Sequence, residues 1–272
     1  VTVLASGSAG NAILVEAEGT TLLVDCGLAP RELARRMERS AAAARLEDVQ
    51  GVLCTHEHTD HASGLAALAS AGLAAYVTDG TARALNLGAT VTVAAGARLT
   101  IGAIEVLPVA MPHDAAEPVG FIVDDGHGRA GIITDCGHPA PDVAAAFATC
   151  DLLVLETNFD RDLLAAGPYP ASLKRRIGGP LGHLSNREAA ELLCLMVRPC
   201  AQVLILAHLS VENNKPRLAR AAVEKALADL GVRPRLLVAG QERPLAPVEC
   251  LKGRATILPG MDDRQLCFSF DP

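Results

Sequence analysis

The chain has 272 residues, half of them apolar and a fifth charged, with 24 Gly and 16 Pro; it belongs among globular proteins and is neither a disordered chain nor a coiled coil. A formal charge of −7 excludes a wholly basic surface that coats nucleic acid, so any polyanion must bind at a defined place. Five Phe, two Tyr and no Trp exclude a platform on which bases stack in series.

Short apolar runs bounded by Gly, Asp or Pro predict strands over Thr2–Ala5, Ala12–Glu16, Thr20–Val24 and Gly51–Cys54. Helical spacing with start signals predicts helices over Pro30–Arg39, Ala62–Ser70 and Thr81–Leu87. Strand patterns return at Val91–Val93, Ile104–Val109, Val119–Val123 and Gly131–Thr134. The last part alternates strand Leu152–Leu155, helix Asn186–Val197, strand Val203–Ala207, helix Pro216–Leu230 and strand Arg235–Val238. No Ser/Gly-rich linker, fixed repeat or long charge run divides the chain, so one domain over residues 1–272 is expected. Two strand-rich halves, each with helices that need a face to cover, predict an α/β (α+β) fold: a four-layer αββα sandwich of two mixed sheets flanked by helices.

The eight cysteines, at 26, 54, 136, 150, 194, 200, 250 and 267, form no C-x-x-C pair and read as buried thiols of a reducing compartment. A membrane span needs about 20 apolar residues in a row, and the run from Leu65 to Val77 is shorter and interrupted by Ser70 and Gly72. The N-terminus opens directly into VTVLASGSAGN, without a basic stretch ahead of an apolar one; the expected location is the cytoplasm, with no membrane contact.

The sharpest feature is THEHTDH at 55–61, which puts His56, His58, Asp60 and His61 between an apolar strand and a helix. Imidazole and carboxylate are the usual ligands of Zn and Mn, and a loop at a strand end can turn alternate side chains to one point, so the spacing permits two metals. It is not the helical H-E-x-x-H motif, because Asp60 stands four residues after His56, and Glu57 is not a metalloprotease base. Farther on, His113, Asp135 and His208 each follow a predicted strand and complete a plausible dinuclear shell.

THEHTDH, a lone downstream His, TDCG and LAHLS resemble the ordered motifs of the metallo-β-lactamase fold hydrolases. ASGSAGN at 5–11, LLVDCG at 22–27, MPHDA at 111–115, ETNFD at 156–160, GPYPASLKRRI at 167–177, GHLSN at 182–186 and LAHLSVENN at 206–214 resemble the YycJ/WalJ branch of that family. The resemblance implies one ion on His56, His58 and His113, a second on Asp60, His61 and His208, and Asp135 bridging both. It makes Asp25 an acid that orients the histidine loop. It also implies that His183, in GHLSN, clamps the scissile phosphate or acts as a general acid. Cys136 invites comparison with lactamases that use a thiolate ligand, but Asp135 matches the hydrolase pattern, and Cys136 is expected to be packed.

Two divalent ions (Zn, Mn or Fe) would supply a bridging hydroxide for in-line attack on phosphorus and stabilise the leaving oxygen, with Asp60, Asp135 and His183 as the catalytic set. The ligands alone do not separate phosphodiester from lactam, lactone or thioester hydrolysis. Lys174, Arg175 and Arg176 favour an anionic substrate, and Asn213 and Asn214 are candidate substrate contacts after the His208 strand. Arg31, Arg35 and Arg39 share one face of the first helix and can extend such a track. The YycJ/WalJ resemblance implies a 5′-to-3′ DNA exonuclease acting on duplex ends. The rival readings are a phosphodiesterase of small nucleotide or cyclic substrates and a regulatory protein linked to a cell-wall two-component system. The stretch from Asp135 to His183 is too short for the extra domain of β-CASP nucleases.

Overall fold

The structure is a computed structural model and describes residues 1–196, 201–252 and 254–258. Its first sheet holds six strands in chain order: β1 (Thr2–Ala5), β2 (Ala12–Ala17), β3 (Thr20–Val24), β4 (Gly51–Leu53), β5 (Ala74–Val77) and β6 (Val91–Thr92). The second holds seven: β7 (Leu99–Ile101), β8 (Ile104–Ala110), β9 (Val119–Asp124), β10 (Arg129–Ile133), β11 (Leu152–Glu156), β12 (Val203–Ala207) and β13 (Arg235–Val238). A hairpin of β14 (Val248–Leu251) and β15 (Arg254–Ile257) follows. Each large sheet is mixed: β1 to β3 and β7 to β10 pair antiparallel, while β3 to β6 and β10 to β13 pair parallel.

The helices are α1 (Pro30–Arg39), α2 (Thr59–Ala62), α3 (Leu65–Ser70), α4 (Asp79–Ala84), α5 (Pro141–Phe147), α6 (Arg161–Ala166), α7 (Ala171–Ile177), α8 (Asn186–Leu195) and α9 (Pro216–Asp229). Strand residues alternate between two apolar surfaces, which is why the runs read as continuously hydrophobic. Ile13, Val15, Leu22 and Val24 meet Val106, Phe121, Ile132, Val154 and Ile205 between the sheets. Leu14, Leu23 and Val52 face outward onto Leu33 and Met37 of α1 and Leu65 and Leu68 of α3. On the other side Ile122, Leu153, Leu155, Leu204 and Leu206 are covered by α5, α8 and α9. Helix, sheet, sheet, helix is the predicted four-layer order.

Several expectations need correction. The helix predicted over Ala62–Ser70 begins earlier, at Thr59, and is broken between α2 and α3. Gly64 sits at the break because the β3–α1 loop passes against it; a Cβ there would lie 2.1 Å from the Leu28 carbonyl and 2.6 Å from Cys26 Sγ. The helix predicted over Thr81–Leu87 is Asp79–Ala84, started by the Thr78 hydroxyl accepting from the Thr81 N–H. Strands β5 and β7, helices α5 to α7 and the terminal hairpin were not predicted. Helix α8 ends at Leu195, and Val197, with Cys200 and Cys267, lies outside the described residues. The six described cysteines are free thiols, and no described helix is long and apolar enough to cross a membrane.

Candidate metal centre

The site forms where the carboxyl ends of the parallel strands of both sheets face one another. Asp25 follows β3, His56 and His58 follow β4, Asp135 follows β10, Glu156 ends β11 and His208 follows β12. Asp25, Asp135 and His208 have φ of 62°, 53° and 55°, the left-handed region that side-chain-bearing residues rarely enter. Three such residues in one cluster turn the chain sharply off its strand and aim each side chain inward, and strain of this kind concentrates at working sites. Gly27 lets the neighbouring loop close in, since a Cβ there would lie 1.8 Å from the Asp60 carbonyl oxygen.

The predicted ligands gather as two trios. Nitrogen atoms of His56, His58 and His113 lie within 4.8 Å of one another, as do donor atoms of Asp60, His61 and His208. Asp135 stands between them, with Oδ2 2.6 Å from His61 Nε2 and 3.7 Å from His56 Nε2. His61 Nδ1 bonds Asp25 at 2.7 Å, and Asp25 also accepts from the Thr55 N–H at 2.8 Å and the Thr55 hydroxyl at 2.9 Å. Asp25 therefore fastens the histidine loop to β3 and leaves His61 Nε2 to face the centre.

The donors fit a divalent cation. His56 Nε2 and both Asp135 oxygens are buried with no hydrogen-bond partner, although ring nitrogens of His61, His183 and His208 approach the carboxylate at 2.6, 2.9 and 3.2 Å. These are close approaches without hydrogen-bond alignment, the arrangement of lone pairs converging on a shared cation. Burial lowers the pKa of His56 well below the ordinary range, reinforced by His61, so its ring is a neutral donor. Burial also opposes charge on His61 and His208, but the surrounding carboxylates together outweigh it, Asp135 and Asp25 at His61 and Asp135, Asp60 and Glu156 at His208, and hold both pKa values well up. Asp60 and Asp135 are held low against their own burial by these same histidines.

His183 lies beside the centre, its ring 5.3 Å from those of His113 and His208. Its Nδ1 meets Glu156 Oε1 at 2.8 Å. Burial opposes its charge, yet Glu156 and Asp135 push its pKa up to about 9. Glu156 is the residue that sequence reasoning missed. It is fully buried; Oε1 also meets His208 Nδ1 at 3.0 Å, and Oε2 accepts from the backbone N–H of Cys136 at 2.9 Å and of Leu184 at 3.1 Å. The available signal was an acid closing the otherwise apolar run LLVLE one strand away from Asp135.

The remaining candidates separate. Arg176 binds Asp114 through Nε and an amino group at 2.5 and 3.2 Å, and its guanidinium is about half exposed. Arg175 is exposed on the same helix. Lys174 instead donates to the Ala165 carbonyl at 2.6 Å and ties α7 to α6. Asn213 and Asn214 are buried rather than presented to a substrate. Asn214 donates to the Thr157 and Asn158 carbonyls and exchanges hydrogen bonds with Asn186, which fixes loops. On α1, Arg35 pairs with Glu32, and Arg36 is buried, donating to the Leu4 and Gln241 carbonyls. Cys136 points away from ligation: burial, aided by Glu156, pushes its thiol up to about 12.

Residues 20–209 match the family model described as beta-lactamase superfamily domain. The chain is 35% identical over 237 residues to exodeoxyribonuclease YycJ of Bacillus anthracis, covering 84% of this chain and 89% of that protein. It is 33% identical over 244 residues to exodeoxyribonuclease WalJ of Streptococcus pneumoniae serotype 2, covering 85% and 89%. Among solved structures, the metallo-β-lactamase fold protein YhfI of Bacillus subtilis superposes with a TM-score of 0.66 at 18% identity over 89% of this chain and 98% of that one. Zinc-bound PqqB of Methylobacterium extorquens does so with a TM-score of 0.63 at 17% identity, over 91% and 100%. The fold is that of the metallo-β-lactamases, and the chain belongs to the beta-lactamase superfamily and, within it, to the YycJ/WalJ family.

Proposed function

We propose that the chain is a metal-dependent 5′-to-3′ DNA exonuclease acting on duplex ends, working as one domain in the cytoplasm with two divalent ions, Zn or Mn, with Fe as an alternative. His56, His58 and His113 would hold one ion, Asp60, His61 and His208 the other, and Asp135 both. Held there, such ions would supply polarisation of the phosphoryl oxygens and acidification of the attacking water. The observation that carries the reading is the convergence of these seven side chains, with the Glu156-held His183 beside them. The family relationship to proteins named exodeoxyribonucleases supports DNA as substrate.

The chain's own residues then divide the work. Asp25 keeps His61 in the tautomer that presents Nε2 inward. Glu156 engages Nδ1 of His183 and leaves Nε2 free to give a proton to the departing oxygen. Arg176 and Arg175 offer positive charge to the phosphate backbone, consistent with an acidic protein that grips locally.

The test is digestion of 5′-labelled, 3′-labelled and circular duplex DNA with Mn²⁺ or Zn²⁺. Release of 5′ label from linear DNA, abolished in Asp60→Ala, supports the reading. Cleavage of bis-p-nitrophenyl phosphate with every polymer intact would move the activity to small phosphodiesters.

A further inference from the structure

Resting on the nuclease reading above, we infer that Asp114 is a positioning residue: it aims the Arg176 guanidinium at a phosphate next to the scissile one. Asp114 directly follows the candidate ligand His113, and its Oδ1 lies 3.5 Å from His113 Nε2. Its backbone N–H donates to the Leu181 carbonyl at 3.0 Å, while His113 Nδ1 meets the Gly182 carbonyl at 2.9 Å. The same loop is tied to α7, since the His183 N–H donates to the Ile177 carbonyl at 2.9 Å. Asp114, His113, His183 and Arg176 thus belong to one fastened unit.

The fork between Arg176 and Asp114 uses both carboxylate oxygens, which fixes the plane of the guanidinium as a single contact would not. An exposed ion pair of this kind adds little to stability, so its geometric effect is the larger one. Asp114 engages two of the five guanidinium N–H groups, and the half-exposed side chain has donors left over. A cation anchored beside His113 suits a second phosphate of a polymer, which a small diester lacks. Lys174 is tied to the Ala165 carbonyl on α6 and not to the His113 loop.

The experiment compares the Mn²⁺-loaded full chain with Arg176→Ala, Asp114→Asn, Asp114→Glu and the Arg176→Ala/Asp114→Asn double variant. Substrates are a 5′-phosphorylated duplex and bis-p-nitrophenyl phosphate. Either Arg176→Ala or Asp114→Asn is expected to raise KM for the duplex about tenfold more than KM for the small diester, the range of one lost charged contact. The kcat should change less than KM, Asp114→Glu should recover part of the loss, and the double variant should be no worse than Arg176→Ala. The slope of log Kd against log salt for duplex binding, read by anisotropy with Ca²⁺, should fall by about one in Arg176→Ala.

Additive losses in the double variant, equal losses on both substrates, or an Asp114→Asn enzyme with the parent KM would each overturn the inference while leaving the nuclease reading intact. A parent chain that cleaves the small diester but neither binds nor degrades duplex would sink the nuclease reading, and this inference with it.

Discussion

Glu156 Oε1 stands 2.8 Å from Nδ1 of His183 and 3.0 Å from Nδ1 of His208, so one buried carboxylate orients both the proposed proton donor and one of the proposed metal ligands. Its other oxygen is taken by two backbone N–H groups, which leaves the side chain no freedom to rotate. Glu156→Gln retains the volume but offers one acceptor oxygen in place of two. Activity on DNA should fall about 10- to 100-fold, as is common when the partner of a ligand is lost. Turning an amide N–H₂ toward the Cys136 and Leu184 donors should destabilise the fold by about 1–3 kcal/mol, read as a lower urea midpoint with unchanged slope.

The role of His183 is separable by leaving group. An alkoxide needs a proton as it departs, whereas p-nitrophenolate does not. His183→Ala should therefore lower kcat on DNA by roughly 10²- to 10⁴-fold, the range of general acid catalysis, and reduce cleavage of bis-p-nitrophenyl phosphate far less. Equal losses on the two substrates would make His183 a phosphate clamp.

Removing metal should loosen the fold as well as stop the reaction, because the two ligand trios join elements of both sheets. An ion present at 100 times its Kd adds about 2.7 kcal/mol, which for a chain of this size is roughly 5–10 °C in Tm. Scanning calorimetry of chelator-stripped protein before and after Mn²⁺ or Zn²⁺ is returned measures the shift. In Asp60→Ala the rise should shrink.

Cys136 adjoins Asp135 but is fully buried, with its thiol donating to the His138 carbonyl. With its pKa pushed up to about 12, it should resist iodoacetamide in the folded protein at pH 8, whereas the exposed Cys194 should react. Peptide mass spectrometry distinguishes the two. Cys136→Ser should retain its full metal content; a lost ion would make the thiolate a ligand after all.

The convergence of the candidate ligands was legible because four of them sit in the six residues from His56 to His61 and the others at strand ends, where apolar runs stop abruptly. The layering was legible too, since strands covered on both faces read as unbroken apolar runs. Glu156 was hidden because its importance lies in four partners from three separate segments, none of them near it in sequence. The basic triplet looked uniform, but helix geometry sends Lys174 to α6 and Arg176 to Asp114. The division of α2 from α3 rests on a long-range approach to Gly64, which local periodicity does not record.

The left-handed backbone at Asp25, Asp135 and His208 has a consequence for anyone evolving this protein. Glycine at any of the three would relieve strain on the order of 1 kcal/mol or more. That relief is smaller than the loss, because Asp25 also holds Thr55 and His61, Asp135 balances the charge of His61 and His208, and the ions would be bound through Asp135 and His208. A library of metal-loaded protein screened for thermal tolerance should therefore keep all three residues despite their strained backbone, and glycine at any of them should be depleted rather than enriched.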